Sequence, residues 1–132
     1  MGLEGRVALI SGGNRGIGAA IAIALAGAGA DVAITYRRDE ESAIATVDAA
    51  RASGRRVERY QASVDDWDQS ERLVSTVLED FGHVDILVHS AGIASRGQTV
   101  ADTDPAEIEK LWRVHAFGAF ALSKLVLPSM RT

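Results

Sequence analysis

The chain has 132 residues, 47% of them apolar and 24% charged, enough for one domain with a real core and ordinary for a soluble globular protein. A formal net charge of −4 argues against a nucleic-acid or anionic-membrane partner, and the lack of cysteine excludes disulfides and thiolate metal sites. His83, His89 and His115 show no metal-ligand spacing, no basic-then-apolar leader opens the chain, and no apolar run reaches bilayer length, so the expectation is a cytoplasmic protein with no metal and no membrane partner.

Residues 6–10 read as a first strand, an unbroken apolar run of the kind a parallel sheet buries on both faces. Gly12, Gly16 and Gly18 follow at once, and an alanine-rich helical pattern covers 16–28, with Ile17, Ile21 and Leu25 at four-residue spacing. Gly29 is a helix terminator. Residues 31–36 form a second strand. Residues 39–53 form a second helix, with Ile44 and Val47 on its apolar side and Gly54 beyond it. The third strand, 57–62, is less apolar, which places it nearer a sheet edge. Asp66 caps a third helix, with Gln69 as its capping-box partner. Leu73, Val77 and Phe81 line that helix, Val74 and Leu78 widen the stripe, and Gly82 ends it. Residues 84–89 are a fourth strand. A loop of small and polar residues spans 90–103. Asp104, Pro105 and Glu107 then make a strong helix start, and that helix runs to Leu127, before Pro128.

Strands alternate with helices, which predicts a parallel sheet with right-handed crossovers. The architecture is a doubly wound, Rossmann-like α/β nucleotide-binding domain over residues 1–132, stopping after the fourth strand and its following helix. The expected strand order is third, second, first, fourth, with ligand at the carboxyl ends of the first and fourth. In that frame Gly12 allows the tight turn off the strand. Gly16 lets backbone approach a pyrophosphate, and Gly18 lets the helix pack close. Asn14, Arg15 and Ile17 stand in the same bend, where the unpaired first N–H groups of the helix face an anion. The bland alternative is a tight turn and nothing more. The motif lacks Gly-Lys-Ser/Thr, so a triphosphate P-loop is not supported.

An NAD site usually carries an Asp or Glu about twenty residues past the glycines, at the end of the second strand. Here Tyr36, Arg37 and Arg38 stand there. A carboxylate repels a 2′-phosphate, whereas a guanidinium pairs with it. Arg15 reaches the same side, so NADP(H) is favoured over NAD(H). The competing reading of Arg37 and Arg38 is a solvated turn beside Asp39, Glu40 and Glu41.

From Leu3-Glu4-Gly5-Arg6 to Met130 the chain resembles the short-chain dehydrogenase/reductase family, above all its 3-oxoacyl-carrier-protein-reductase-like members. The resemblance rests on Ser11-Gly12 through Gly16-Ile17-Gly18, on the run from Phe81 to Val88, and on His89-Ser90-Ala91-Gly92 where the family usually has Asn-Asn-Ala-Gly. It implies an oxidoreductase that reduces a carbonyl or oxidises an alcohol. It also implies that Ser90, Ala91 and Gly92 border the nicotinamide-side ribose. Ser63-Val64 replaces the family's Asp-Val near the adenine, and His115 occupies the place of the family's helix-kinking, water-holding Asn. A packed histidine at the cleft wall is the competing reading for His115. In the family, a Tyr four residues before a Lys supplies the proton and a Ser holds the carbonyl oxygen. Tyr36, Tyr60, Lys110 and Lys124 provide no such pair. Ser11, Ser90 and Ser95 show no His–Asp pairing for hydrolysis. The expectation is therefore the cofactor-binding half of an enzyme, inactive by itself. The alternatives are a non-catalytic nucleotide-binding or scaffold protein, or an inactive fragment. The helix at 104–127 carries Leu111, Trp112, Phe117, Phe120, Leu122 and Leu125. In the family it packs on its counterpart, which implies a homo-oligomer. The small-molecule carbonyl or alcohol partner is not specified by these residues.

Overall fold

In the computed structural model, which describes residues 2–131, four parallel strands form one sheet. They are β1 (Val7–Ser11), β2 (Asp31–Tyr36), β3 (Val57–Gln61) and β4 (Ile86–His89), in the order β3-β2-β1-β4. The helices are α1 (Gly16–Gly27), α2 (Glu40–Arg51), α3 (Trp67–Phe81), α4 (Pro105–Trp112) and α5 (Gly118–Met130). A five-residue π-helical segment, Arg113–Phe117, joins the last two, and a 3-10 turn spans Val100–Asp102. The less apolar β3 stands at one edge and β4 at the other.

Each inner strand sends alternate side chains to opposite faces. Ile10, Val32 and Ile34 pack with Ala22, Ala26 and Val47 under α1 and α2. Leu9 and Ala33 pack with Leu73, Val77, Leu122 and Val126 under α3 and α5. Burial on this scale stabilises by about 1.5–3 kcal/mol for each large side chain. Parallel pairing of β1 with the edge strand β4 holds their ends level, with Ser11 opposite His89.

Four local expectations are corrected. The face α1 buries is Gly18, Ala22 and Ala26, while Ile17 is 76% exposed. The helix is apolar almost all round, so four-residue spacing does not select a face, and only small residues permit the close approach to the sheet. On α2, Val47 is buried with Ala43, Thr46 and Ala50, but Ile44 faces outward. Asp66 does cap α3, accepting from the Gln69 N–H. The Gln69 side chain, however, accepts from the Ser63 N–H at 2.9 Å and so fastens the end of β3 to α3 rather than closing a capping box. The last helix is broken at 113–117 and continues through Pro128 to Met130. Pro128 sits in the final turn, so it removes a single intrahelical bond. Ser129 ties that end to the sheet, its hydroxyl accepting from the Val84 N–H at 3.0 Å.

Candidate functional site

The bend after β1 and the tip of β4 are in contact. Gly12 has φ +64, and a Cβ there would lie 2.7 Å from the Ala91 Cα. A Cβ on Gly18 would collide with the Gly12 carbonyl oxygen, which is how α1 comes so close to the bend. Gly16 has φ +57 and open space above it. The bend is fastened from beneath. Thr35 accepts the Gly12 N–H on its hydroxyl and the Gly13 N–H on its carbonyl, both at 3.1 Å. Asn14 donates to the Ser42 hydroxyl at 2.9 Å, and its carbonyl accepts from the Thr46 hydroxyl at 2.9 Å. Arg15 precedes α1 in extended backbone without a side-chain cap, so the first-turn donors remain available to an anion.

Above this bend lies a cleft of about 540 Å³. Gly12, Asn14, Arg15, Gly16 and Ile17 form its floor, and Thr35, Tyr36, Arg37, Arg38 and Asp39 close one end. Ala62, Val64 and Asp65 make a side wall, and Ser90, Ala91, Gly92, Ile93 and Val114 make the other end. Three sequence candidates are not on these walls. Gly18 lies beneath the bend, Ser63 opens onto a separate acidic depression beside Asp66 and Asp68, and His115 stands behind Val114.

Two of the three acidic neighbours of Arg37 and Arg38 are engaged elsewhere. Asp39 caps α2 by accepting from the Ser42 N–H, and Glu40 accepts from the Tyr36 hydroxyl at 3.0 Å and faces Arg59. Among the described residues neither the Arg37 nor the Arg38 guanidinium has an ion-pair partner.

Behind the far end, one imidazole joins three elements. His89 Nε2 lies 3.1 Å from the Val114 carbonyl, which can only accept, so that nitrogen carries the proton. Nδ1 is then an acceptor for the Ser11 hydroxyl at 2.9 Å. Ser11 in turn accepts the Ser90 and Ala91 N–H groups at 3.1 and 3.2 Å. Burial holds the His89 pKa below its ordinary value; the Val114 carbonyl opposes this and the His115 charge adds to it. Although Ser11 and His89 form a pair, Ser11 is fully buried and its lone pairs are used, so it is no nucleophile.

His115 presents one nitrogen, Nε2, to both the carbonyl and the N–H of Ile93, at 2.9 and 3.2 Å. One nitrogen satisfies one of these at a time. A Cβ on Gly92 would lie 2.6 Å from the His115 ring, so the two residues are packed face to face. Neither tyrosine is a primed acid. Burial first, then the carboxylate partner (Glu40 for Tyr36, Asp80 for Tyr60), raises each pKa above the ordinary phenol value.

A strand–glycine bend–helix unit whose bend meets the tip of the strand beyond the winding reversal is the geometry of a nucleotide-binding crossover, and comparison with known proteins gives the family. The family model for short chain dehydrogenases matches residues 6–132. The chain belongs to the short-chain dehydrogenase family.

Versicolorin reductase from Emericella nidulans is 40% identical over 92% of this chain and 46% of that protein. A short-chain dehydrogenase from Burkholderia cenocepacia J2315, solved in complex with NADP, is 41% identical, with a TM-score of 0.92 over 97% of this chain and 52% of that one. A Serratia marcescens short-chain dehydrogenase/reductase variant gives a TM-score of 0.94 at 32% identity, over 98% and 53%. This short-chain dehydrogenase chain thus spans about half the length of the relatives it matches.

Sequence reading missed the groups that hold the site. Thr35, Ser42 and Thr46 fasten the bend. Arg113 donates to the Asp65 carbonyl at 2.7 Å and stacks on Phe117, steadying the side wall. Thr46 alone carried a signal, a polar residue between Ala43 and Val47 on the inner face of α2.

Proposed function

We propose that this chain is the cofactor-binding portion of an NADP(H)-dependent short-chain oxidoreductase that reduces a carbonyl or oxidises an alcohol. The observation that carries the cofactor preference is the end of the cleft at β2. Arg37 and Arg38 border it without carboxylate partners among the described residues, and Asp39 is turned into its own helix cap. A 2′-phosphate there meets guanidinium groups that need no rearrangement of existing ion pairs. The pyrophosphate rests on Gly12, Asn14, Arg15, Gly16 and Ile17, with the positive end of α1 beneath it. The adenine lies by Val64, and the nicotinamide end lies by Ser90, Ala91 and Gly92. His115 holds the Ile93 backbone through Nε2, which favours a packing role at the cleft wall over a proton relay. Residues that deliver the substrate proton are not among those on the cleft walls, so turnover requires groups beyond this set.

The protein is cytoplasmic in this reading. No helix among the described residues is long and apolar enough to cross a membrane. It pairs with a second copy through residues 104–127, whose Ile108, Trp112 and Phe120 are more than half exposed. Titration with NADPH and NADH at one stated ionic strength tests the cofactor claim. NADPH binding at least tenfold tighter supports it. Equal affinities, or tighter NADH, overturn it.

A further inference from the structure

We infer that His89 is a positioning residue, which as the Nε2–H tautomer sets both the Ser90–Gly92 bend, through Ser11, and the π-helical break, through the Val114 carbonyl. The side-chain bonds form one chain, and the Ser90 N–H is shared between the Ser11 hydroxyl and the Ser11 carbonyl, each at 3.1 Å. Val114 oxygen accepts from Nε2, Nδ1 accepts from Ser11, and Ser11 accepts from Ser90 and Ala91. The π segment, closed by the Gly118 N–H on the Arg113 carbonyl, leaves the Val114 carbonyl turned to the sheet. Gly118 makes the approach possible, since a Cβ there would lie 3.3 Å from His89 Cε1 and 3.0 Å from Val64 Cγ2.

Adding a proton to Nδ1 breaks this chain. The new N–H points at a hydroxyl whose two lone pairs already serve Ser90 and Ala91, and the Ser11 proton loses its acceptor. The groups on the ring are Ser11 from β1 and Val114 and Gly118 from the last helix, with Val64, from the segment after β3, against Gly118 and His115 close enough to act on the ring electrostatically. His115 is the ionisable one among them, and its charge opposes a second charge on His89. Protonation of His89 therefore loosens the bend at Ala91, beside the proposed nicotinamide end, while the Ser90 N–H stays on the Ser11 carbonyl. That last step rests on the proposed cofactor site, but the tautomer and the bonding do not.

Long-range proton–nitrogen NMR of the imidazoles in the full 132-residue chain tests this. The expected result is a single Nε2–H tautomer for His89 near about pH 7.5, with the Ser90 and Ala91 amide shifts titrating at the His89 midpoint. His89→Asn supplies both an acceptor and a donor that do not titrate, so it keeps amide protection at Ser90 and Ala91 within about threefold and removes their pH dependence. In His115→Asn that dependence persists. An Nδ1–H tautomer, or amides that ignore the His89 midpoint, overturns the inference. NADPH affinity measured alongside separates the two readings. Loss of about tenfold in affinity between about pH 7.5 and 5.8, absent in His89→Asn, supports both. No NADPH binding at any pH overturns the cofactor site, and the tautomer and amide data then decide His89 alone.

Discussion

Ser11 is the side chain that joins the two strands at the site. Its hydroxyl joins β1 to the β4 tip by accepting two N–H groups and donating to His89. Ser11→Ala leaves the Ala91 N–H and His89 Nδ1 without their partner in a part-buried place, while the Ser90 N–H keeps the Ser11 carbonyl at 3.1 Å, a loss of about 1–3 kcal/mol. Urea unfolding is expected to show a loss of that size, and an unchanged midpoint would contradict the bonding scheme. His89 gives a pH dependence whose sign is fixed. Its folded pKa is depressed by burial, so the unfolded chain binds the proton first as pH falls. The stabilising effect is complete above the ordinary imidazole value of about 6.5. It is lost as pH falls through that value to the lower folded pKa. Unfolding midpoints of the wild type and His89→Asn should converge toward acid within that window, and a constant difference would contradict the assignment. In sequence, Ser11 and His89 looked unrelated, being 78 positions apart. Only the parallel pairing of β1 with β4 brings them opposite, so no local pattern could announce the bond.

Helices were legible in place, apart from the division of the last into α4 and α5 around the π segment, and poorly legible in orientation. Asp39, Asp66 and Asp104 cap helices as their side chains dictate, because an N-cap is a local event. Which face a helix buries is not local when apolar residues surround it, and α1 shows this with Ile17 outside and Gly18, Ala22 and Ala26 inside. The irregularity in the last helix was legible only through the resemblance, which put a helix-kinking position at His115; residues 113–117 contain neither Gly nor Pro, and the Val114 carbonyl there serves His89. At this scale Gly18→Ala is the decisive change. Its Cβ meets the Gly12 carbonyl oxygen, a backbone atom of a bend fastened on two sides. Helix propensity favours Ala by about 0.8–1.0 kcal/mol, yet overpacking costs about 1–3 kcal/mol. The substitution is therefore expected to lower thermal stability and to weaken NADPH binding together. A stabilised variant with intact binding would contradict the packing. Thr46→Val, in contrast, removes the hydroxyl bond to the Asn14 carbonyl and should cost about 1 kcal/mol, with recovery in Thr46→Ser.

The whole molecule was legible because a continuous apolar first strand, alternating elements and a glycine bend leave few topologies open. The strand order β3-β2-β1-β4 follows from them. The cleft's lining was legible on its floor and at its arginine end, less so along its side wall, where Val64 stands as expected but Asp65, and not Ser63, stands beside it. The sheet keeps a half-buried edge at β4, and α4–α5 shows an apolar stripe of Ile108, Trp112, Phe120 and Leu127. Edges and patches of this kind drive association. Sedimentation of this chain should show concentration-dependent self-association, reduced in Trp112→Glu/Phe120→Glu. A sharp monomer across the concentration range would contradict it. The central claim is that the glycine bend and the β4 tip form a single seat for a phosphorylated dinucleotide, and backbone amide NMR during NADPH titration tests it most directly. The account predicts saturable shifts at Gly12, Gly16, Ile17, Arg37, Ala91 and Gly92, with α3 unmoved. Shifts that map away from this cleft, or none at saturating NADPH, would contradict it.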